Sequence, residues 1–185
     1  PQHHSSAASD VYKRQKETNY QNVIVGVDIE NHRGITNPQL DITEIRQRKS
    51  VCPSTTGGIN WNSIAYSPQT NALYAPTNNV CMDYYLNPVN PTVGGYHSSA
   101  VSRKISVPDG NEQIGIFSAV EVASGKTLWT YKQRAAITGS VLTTGGGLAF
   151  VTDDARRFRA FDVDNGSILW EQVLNSSAGG FPSTY

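Results

Sequence analysis

The sequence predicts an all-β fold, a partial β-propeller, and three observations support this prediction. Residues 119–129 are repeated as residues 160–170, so that Trp129 and Trp170 lie 41 positions apart, as do the glycines of the repeat. A period near 40 residues, made of short strands joined by tight turns, is typical of propeller blades. No long amphipathic helix is evident, and the chain contains 16 glycines and 9 prolines, which suit many turns.

Each copy of the repeat predicts a β-hairpin. Ser124-Gly125 and Asn165-Gly166 are turn dipeptides, because glycine adopts positive φ without steric cost. The residues before each turn alternate in polarity, and the strand after each turn ends on Trp129 or Trp170. A large indole at one repeated position suits packing between neighbouring blades, so core packing is the interpretation we favour for both tryptophans.

The rest of the chain predicts further strands and two irregular stretches. Residues 23–28 form an apolar run that predicts a buried strand, and the polar residues 29–50 predict an irregular segment. Residues 86–112 contain three prolines and few apolar residues, and they predict a long external loop. Hairpin strands are predicted at 63–68 with 72–76, at 113–129, and at 140–152, and the last leads into 157–170. At this period the chain holds about four blades.

Composition excludes some function classes and bounds the domain. The 15 basic and 15 acidic residues cancel, which removes the electrostatic case for nucleic-acid binding. The sequence contains no run of 18 apolar residues, so no transmembrane helix is predicted, and no signal peptide is visible. Residues 1–15 lack strand alternation and are interpreted as a foreign or disordered segment before a propeller domain at 16–185. A metal role for His3 and His4 is disfavoured, since no other ligand has a suitable spacing.

Two features carry candidate chemistry. Cys52 and Cys81 are the only cysteines, and their spacing leaves both a disulfide and a pair of reduced buried thiols open. Between them lies Gly57-Gly58-Ile59-Asn60-Trp61-Asn62, where glycines allow close approach of a flat ligand. Asn60 offers donors and an acceptor, and Trp61 offers a stacking face. The same pattern is also typical of an ordinary turn.

The chain resembles the pyrroloquinoline quinone (PQQ)-dependent alcohol dehydrogenases, which are periplasmic eight-bladed propellers. The resemblance covers roughly residues 20–185 and is most specific between the two cysteines. The matching segments there are 51–54, 57–62, 65–68, 73–74 and 79–83, and further matches follow in order at 143–150, 156–162, 166, 169–170 and 182–185. We therefore expect a partial β-propeller of quinoprotein type, and we interpret the chain as a C-terminal fragment of a longer protein.

The resemblance implies roles for particular residues. Asn60 and Trp61 would contact PQQ, Cys52 and Cys81 would form the family's disulfide, and the two tryptophans of the repeat would dock blades. Nothing in the chain matches the family's catalytic aspartate base or the ligands of its calcium or lanthanide ion. We therefore expect no catalytic residue and no metal ligand within these 185 residues.

The resemblance also implies a function for the complete protein. It predicts a periplasmic PQQ-dependent alcohol dehydrogenase that oxidises a primary alcohol to an aldehyde and passes electrons to cytochrome c or a haem domain. The alternative is a non-enzymatic propeller scaffold of the envelope-assembly lipoprotein type. Such a scaffold shares the blade repeat but has no reason to keep an Asn-Trp pair between two bridged cysteines.

Overall fold

The structure, a computed structural model, describes residues 21–56, 58–90, 93–95, 100–106 and 112–184. In these ranges the one helix is a 3₁₀ turn at Pro38–Leu40, and no helix is long and apolar enough to cross a membrane. The predicted foreign segment 1–15, its histidines His3 and His4, the domain boundary that follows it and Gly57 lie outside the described residues.

Antiparallel pairing organises all the described strands into four sheets. Two sheets have four strands each, ordered β4-β5-β8-β9 (the first blade) and β10-β11-β12-β13 (the second blade). A three-stranded sheet has the order β3-β6-β7, and β1 pairs with β2 alone. The strands are β1 Ile24–Asp28, β2 Arg33–Thr36, β3 Lys49–Val51, β4 Ala65–Ser67, β5 Ala72–Asn78, β6 Cys81–Leu86, β7 Ala100–Ser106, β8 Gly115–Glu121, β9 Thr127–Gln133, β10 Leu142–Thr143, β11 Leu148–Thr152, β12 Arg157–Asp162 and β13 Ile168–Val173.

The two blades confirm the predicted propeller architecture, and each blade contains one copy of the sequence repeat. In the first blade, β5 and β8 pair at seven positions, from Ala72 opposite Glu121 to Asn78 opposite Gly115. The intervening residues 79–114 leave the blade and return to it. The prediction of a long external loop at 86–112 is wrong in part, because β7 lies within it and pairs with β6.

The N-terminal hairpin corrects two other predictions. β1 was predicted to be buried, yet Val25 is 53% exposed and Val27 is 42% exposed. The reason is that β1 pairs only with β2 in a two-stranded sheet, so alternate side chains face solvent. The segment 29–50, predicted to be irregular, contains β2 and most of β3.

Trp129 docks the first blade onto the second, as predicted. Its indole Nε1 donates to the carbonyl oxygen of Val163 at 2.8 Å. The ring covers Gly166, where an added Cβ would lie 2.5 Å from indole Cε3. Phe117 and Phe161 contact the same indole, at ring-centroid distances of 5.3 and 6.4 Å. The shared core of the two blades is therefore aromatic at its centre.

Trp170 occupies the same repeat position in the second blade. Its side chain is 47% exposed and meets Phe158 of its own sheet edge-on, with ring centroids 5.7 Å apart. No further blade covers it within the described part of the chain. Docking by Trp170 therefore stays a prediction.

The hydroxyl of Tyr74 makes the stability of the protein depend on alkaline pH. It is fully buried, and its hydroxyl donates to Val163 O at 3.1 Å and lies 2.7 Å from Thr70 Oγ1. Burial raises the pKa of the hydroxyl above its ordinary value of 10.0, although the Thr70 hydrogen bond opposes the shift. The folded protein therefore keeps this proton at pH values where the unfolded chain loses it, and stability falls as the pH rises above about 10.

We expect Tyr74→Phe to lower the free energy of unfolding by about 1–2 kcal/mol at pH 8, because the hydrogen bonds of the hydroxyl with Val163 and Thr70 are lost. The same variant should lose less stability than the parent protein between pH 8 and 10.5. Urea unfolding at the two pH values measures both effects, and Tyr66→Phe, at a half-exposed tyrosine, is the control. Equal alkaline losses in the parent and Tyr74→Phe would contradict the prediction.

Candidate functional site

A disulfide closes the base of the candidate site. Cys52 follows β3 and Cys81 begins β6, and the two are bonded with a Cα–Cα distance of 4.4 Å. The pairing that the resemblance implies is therefore present in the structure. Asn22 also holds the backbone of Cys52 in place, because its Oδ1 accepts from Cys52 N at 2.8 Å and its own N–H donates to Cys52 O at 2.9 Å. The start of the segment that carries Asn60 and Trp61 is thus tied to β6.

Both ends of residues 58–62, here called the site loop, are anchored. Gly58 and Asn78 exchange two backbone hydrogen bonds, with N–O distances of 2.8 and 3.0 Å. Gly58 adopts a φ of 66°, which suits a residue without a side chain. At the other end, Asn62 Nδ2 donates to Ile137 O at 2.9 Å and to Gly139 O at 3.3 Å. The site loop therefore joins the first blade to the start of the second.

Asn60 and Trp61 project from the middle of this loop. The Trp61 side chain is 82% exposed. Asn60 is exposed as well, and its Nδ2 donates to Thr55 O at 2.6 Å. Within the described residues its Oδ1 has no hydrogen-bond partner. An exposed indole and an exposed amide thus follow one another along a backbone that is held at both ends.

The geometry fits a flat, conjugated quinone. An exposed indole face offers stacking, and the Asn60 amide can donate to or accept from polar groups on a ring edge. These residues would hold PQQ by one face and one edge. Across the described residues, no group of three or more His, Cys, Asp and Glu side chains is placed to hold a metal ion.

Two asparagines that the sequence did not single out support the site. Asn62 and Asn78 both bond to Ile137, which lies 75 and 59 positions away in the chain. Ile137 is buried and is itself bridged to Asp153 of the second blade. Such long-range pairs have no local signal, because neither residue stands out from ordinary turn asparagines.

A buried ion-pair cluster lies beyond that bridge and was also not predicted. Arg159 donates to Asp153 Oδ2 at 2.6 Å, to Gln133 Oε1 at 2.9 Å and to Glu171 Oε2 at 2.6 Å. Burial lowers the pKa of the Arg159 guanidinium, and the hydrogen bonds to Asp153 and Glu171 raise it, with an upward net shift. The arginine therefore stays charged, and its cluster fixes the edge of the second blade.

Removing the disulfide should destabilise the protein. Cys52→Ser opens a covalent loop of 29 residues and should lower the free energy of unfolding by about 3 kcal/mol under oxidising conditions. Cys52→Ser/Cys81→Ser should match the single variant. Melting with and without reductant measures the effect, and identical melting of the parent protein in both conditions would contradict it.

Comparison with known proteins identifies relatives of this chain. The chain is 31% identical over 90% of its length to the lanthanide-dependent methanol dehydrogenase of Methylacidiphilum fumariolicum. It is 33% identical over 73% of its length to the quinoprotein ethanol dehydrogenase of Pseudomonas aeruginosa. It spans about a quarter of these curated relatives, 27% and 21% of their lengths.

The structural comparison agrees. A europium-containing methanol dehydrogenase superposes with a TM-score of 0.78 at 31% identity, over 88% of this chain and 28% of the solved one. Residues 113–184 also match the family described as "Outer membrane protein assembly factor BamB". That match covers the blade repeat and leaves out the segment from Cys52 to Cys81. The relatives of this chain, over most of its own length, are therefore PQQ-dependent (quinoprotein) alcohol dehydrogenases.

Proposed function

We propose that the chain is part of a periplasmic PQQ-dependent dehydrogenase that oxidises a primary alcohol to an aldehyde, and that the site loop forms one wall of its quinone site. The observation that carries the proposal is the exposed Trp61 indole beside Asn60, on a loop anchored to two blades. The printed names of the relatives, methanol and ethanol dehydrogenases, support alcohol as the substrate class.

In this proposal the chain binds and orients the cofactor. Trp61 stacks on one face of the quinone and shields that face from water, and the Asn60 amide fixes the ring in its plane. PQQ, when bound, is the two-electron oxidant. We assign the proton acceptor and the calcium or lanthanide ion to other parts of the complete protein, and the electron acceptor to cytochrome c or a haem domain.

Quinone titration of the complete protein tests the proposal. Trp61→Ala should weaken PQQ binding by roughly 10- to 100-fold, because stacking on an aromatic ring contributes about 1–3 kcal/mol. Trp61→Phe should lose less, since a smaller ring still stacks. Tryptophan emission and cofactor absorbance give Kd, and turnover of a primary alcohol gives activity. An unchanged Kd in Trp61→Ala would contradict the assigned wall.

The second candidate function is a non-enzymatic scaffold, and the family match over residues 113–184 favours it. The two candidates make opposite predictions for the same titration. A protein that leaves tryptophan emission and quinone absorbance unchanged would overturn the dehydrogenase proposal. The scaffold function would then stand, and Asn60 and Trp61 would be ordinary loop residues.

A further inference from the structure

We infer that Asn78 is a positioning residue for the quinone site, an inference that rests on the proposed function. Asn78 is the last residue of β5 and is partly buried. It makes four hydrogen bonds, two through its backbone and two through its side chain. The backbone pair is with Gly58, at the start of the site loop. The side-chain pair is with Ile137, at the start of the second blade.

The side-chain pair has the form of a strand contact. Ile137 N donates to Asn78 Oδ1 at 2.8 Å, and Asn78 Nδ2 donates to Ile137 O at 2.9 Å. One amide side chain thus satisfies both polar groups of one peptide residue, as a neighbouring strand would. A carboxamide of this length supplies the donor and the acceptor together. Aspartate offers no donor and would set a carboxylate oxygen against the Ile137 carbonyl.

Asn62 completes the arrangement at the other end of the site loop. Its Nδ2 donates to the same oxygen, Ile137 O, at 2.9 Å. Both ends of the site loop are thereby connected to Ile137. Asn62 contacts Ile137 directly, and Gly58 is connected to it through Asn78. The three residues between, including Asn60 and Trp61, are held at a fixed offset from the second blade.

This arrangement has a functional consequence for a stacked cofactor. Binding that depends on an aromatic face is sensitive to displacement, and a shift of about 1 Å in a positioning group can change rates by 10²-fold. Asn78 touches no ligand in this scheme. Asn78 acts through Trp61, so replacing Asn78 should weaken PQQ binding only in a protein that keeps Trp61.

The test is a double-mutant cycle on PQQ affinity in the complete protein. Asn78→Asp should raise the Kd for PQQ about tenfold when Trp61 is present, and by less than about twofold in the Trp61→Ala background, because coupled residues are not additive. Gln69→Ala is the matched control. Gln69 Nε2 also donates across the two blades, to Gly145 O at 2.8 Å, but from the β4–β5 turn rather than from the site loop. The Kd of the Gln69→Ala variant for PQQ should equal that of the parent protein.

Each outcome separates the inference from the function on which it rests. An equal loss of affinity in both Trp61 backgrounds would assign Asn78 a general structural role and overturn the inference. So would an unchanged Kd in Asn78→Asp when the parent protein binds PQQ. A parent protein that does not bind PQQ would overturn the proposed function itself, and this inference with it.

Discussion

Replacing Arg159 by methionine should lower the free energy of unfolding by about 4 kcal/mol, since removing one partner of a buried ion pair leaves an uncompensated charge. The Arg159 side chain is 7% exposed and that of Asp153 is 1% exposed. Asp153 also accepts from Gln133 Nε2 at 3.0 Å and from Arg157 N at 2.9 Å. These neutral donors remain in the variant, but they do not cancel the carboxylate charge.

Two comparisons make this prediction specific. Adding Asp153→Asn to Arg159→Met should recover much of the loss, because the amide keeps an acceptor for Arg157 N and removes the charge. Arg134→Met should change stability by less than about 0.5 kcal/mol, since its ion pair with Glu112 is exposed on both sides. Urea unfolding measures all three variants. Equal effects of Arg159→Met and Arg134→Met would contradict the buried-charge explanation.

Gly166→Ala should lower the free energy of unfolding by about 4 kcal/mol, through two costs that add at one position. Gly166 has a φ of 74°, which a residue with a Cβ adopts only with strain. The new methyl would also lie 2.5 Å from the indole of Trp129, which has the neighbouring rings on its other sides. The indole cannot move away without losing its hydrogen bond to Val163 O.

Gly147 provides the control for the strain of a positive φ. It has a φ of 78°, and a Cβ there would lie 3.8 Å from Val163 Cγ2, an ordinary contact. Gly147→Ala should therefore cost only about 1–2 kcal/mol, and the difference between the two variants isolates the steric cost at the blade interface. The environment of Trp129, followed by its fluorescence, should change only in Gly166→Ala. Equal costs at the two glycines would show that the indole does not limit this position.

The fold was predictable where its signal is local. Each copy of the repeat, ending at Trp129 or Trp170, contains the residues of a hairpin, its turn and the predicted docking tryptophan within a dozen positions. The structure confirms both blades. The segment around Asn60 and Trp61 was recognisable for a similar reason, because glycines, amide and indole are contiguous. The structure shows that this indole is exposed on an anchored loop, while its partnership with a quinone stays a prediction.

What sequence reasoning missed depends on contacts between distant residues. β7 was hidden because its neighbours are rich in proline, and its pairing is set by β6, not by its own pattern. β1 is apolar enough for a core strand, yet burial is decided by which sheet packs on it. Asn78 and Arg159 are ordinary residues in the sequence. Their roles arise only when the blades bring Ile137 and Asp153 beside them.

The pairing of β5 with β8 has a consequence for how this protein family can diverge. β5 and β8, which flank the segment 79–114, pair at seven positions, so the stability of the blade should depend only weakly on the length of that segment. Loop closure also becomes more costly only slowly with length, by about 0.6 kcal/mol per doubling. Insertions and deletions there leave the blade intact, and the disulfide holds the base of the excursion in place. The length of this segment can therefore vary among related proteins while the residues that join the blades remain under a separate constraint.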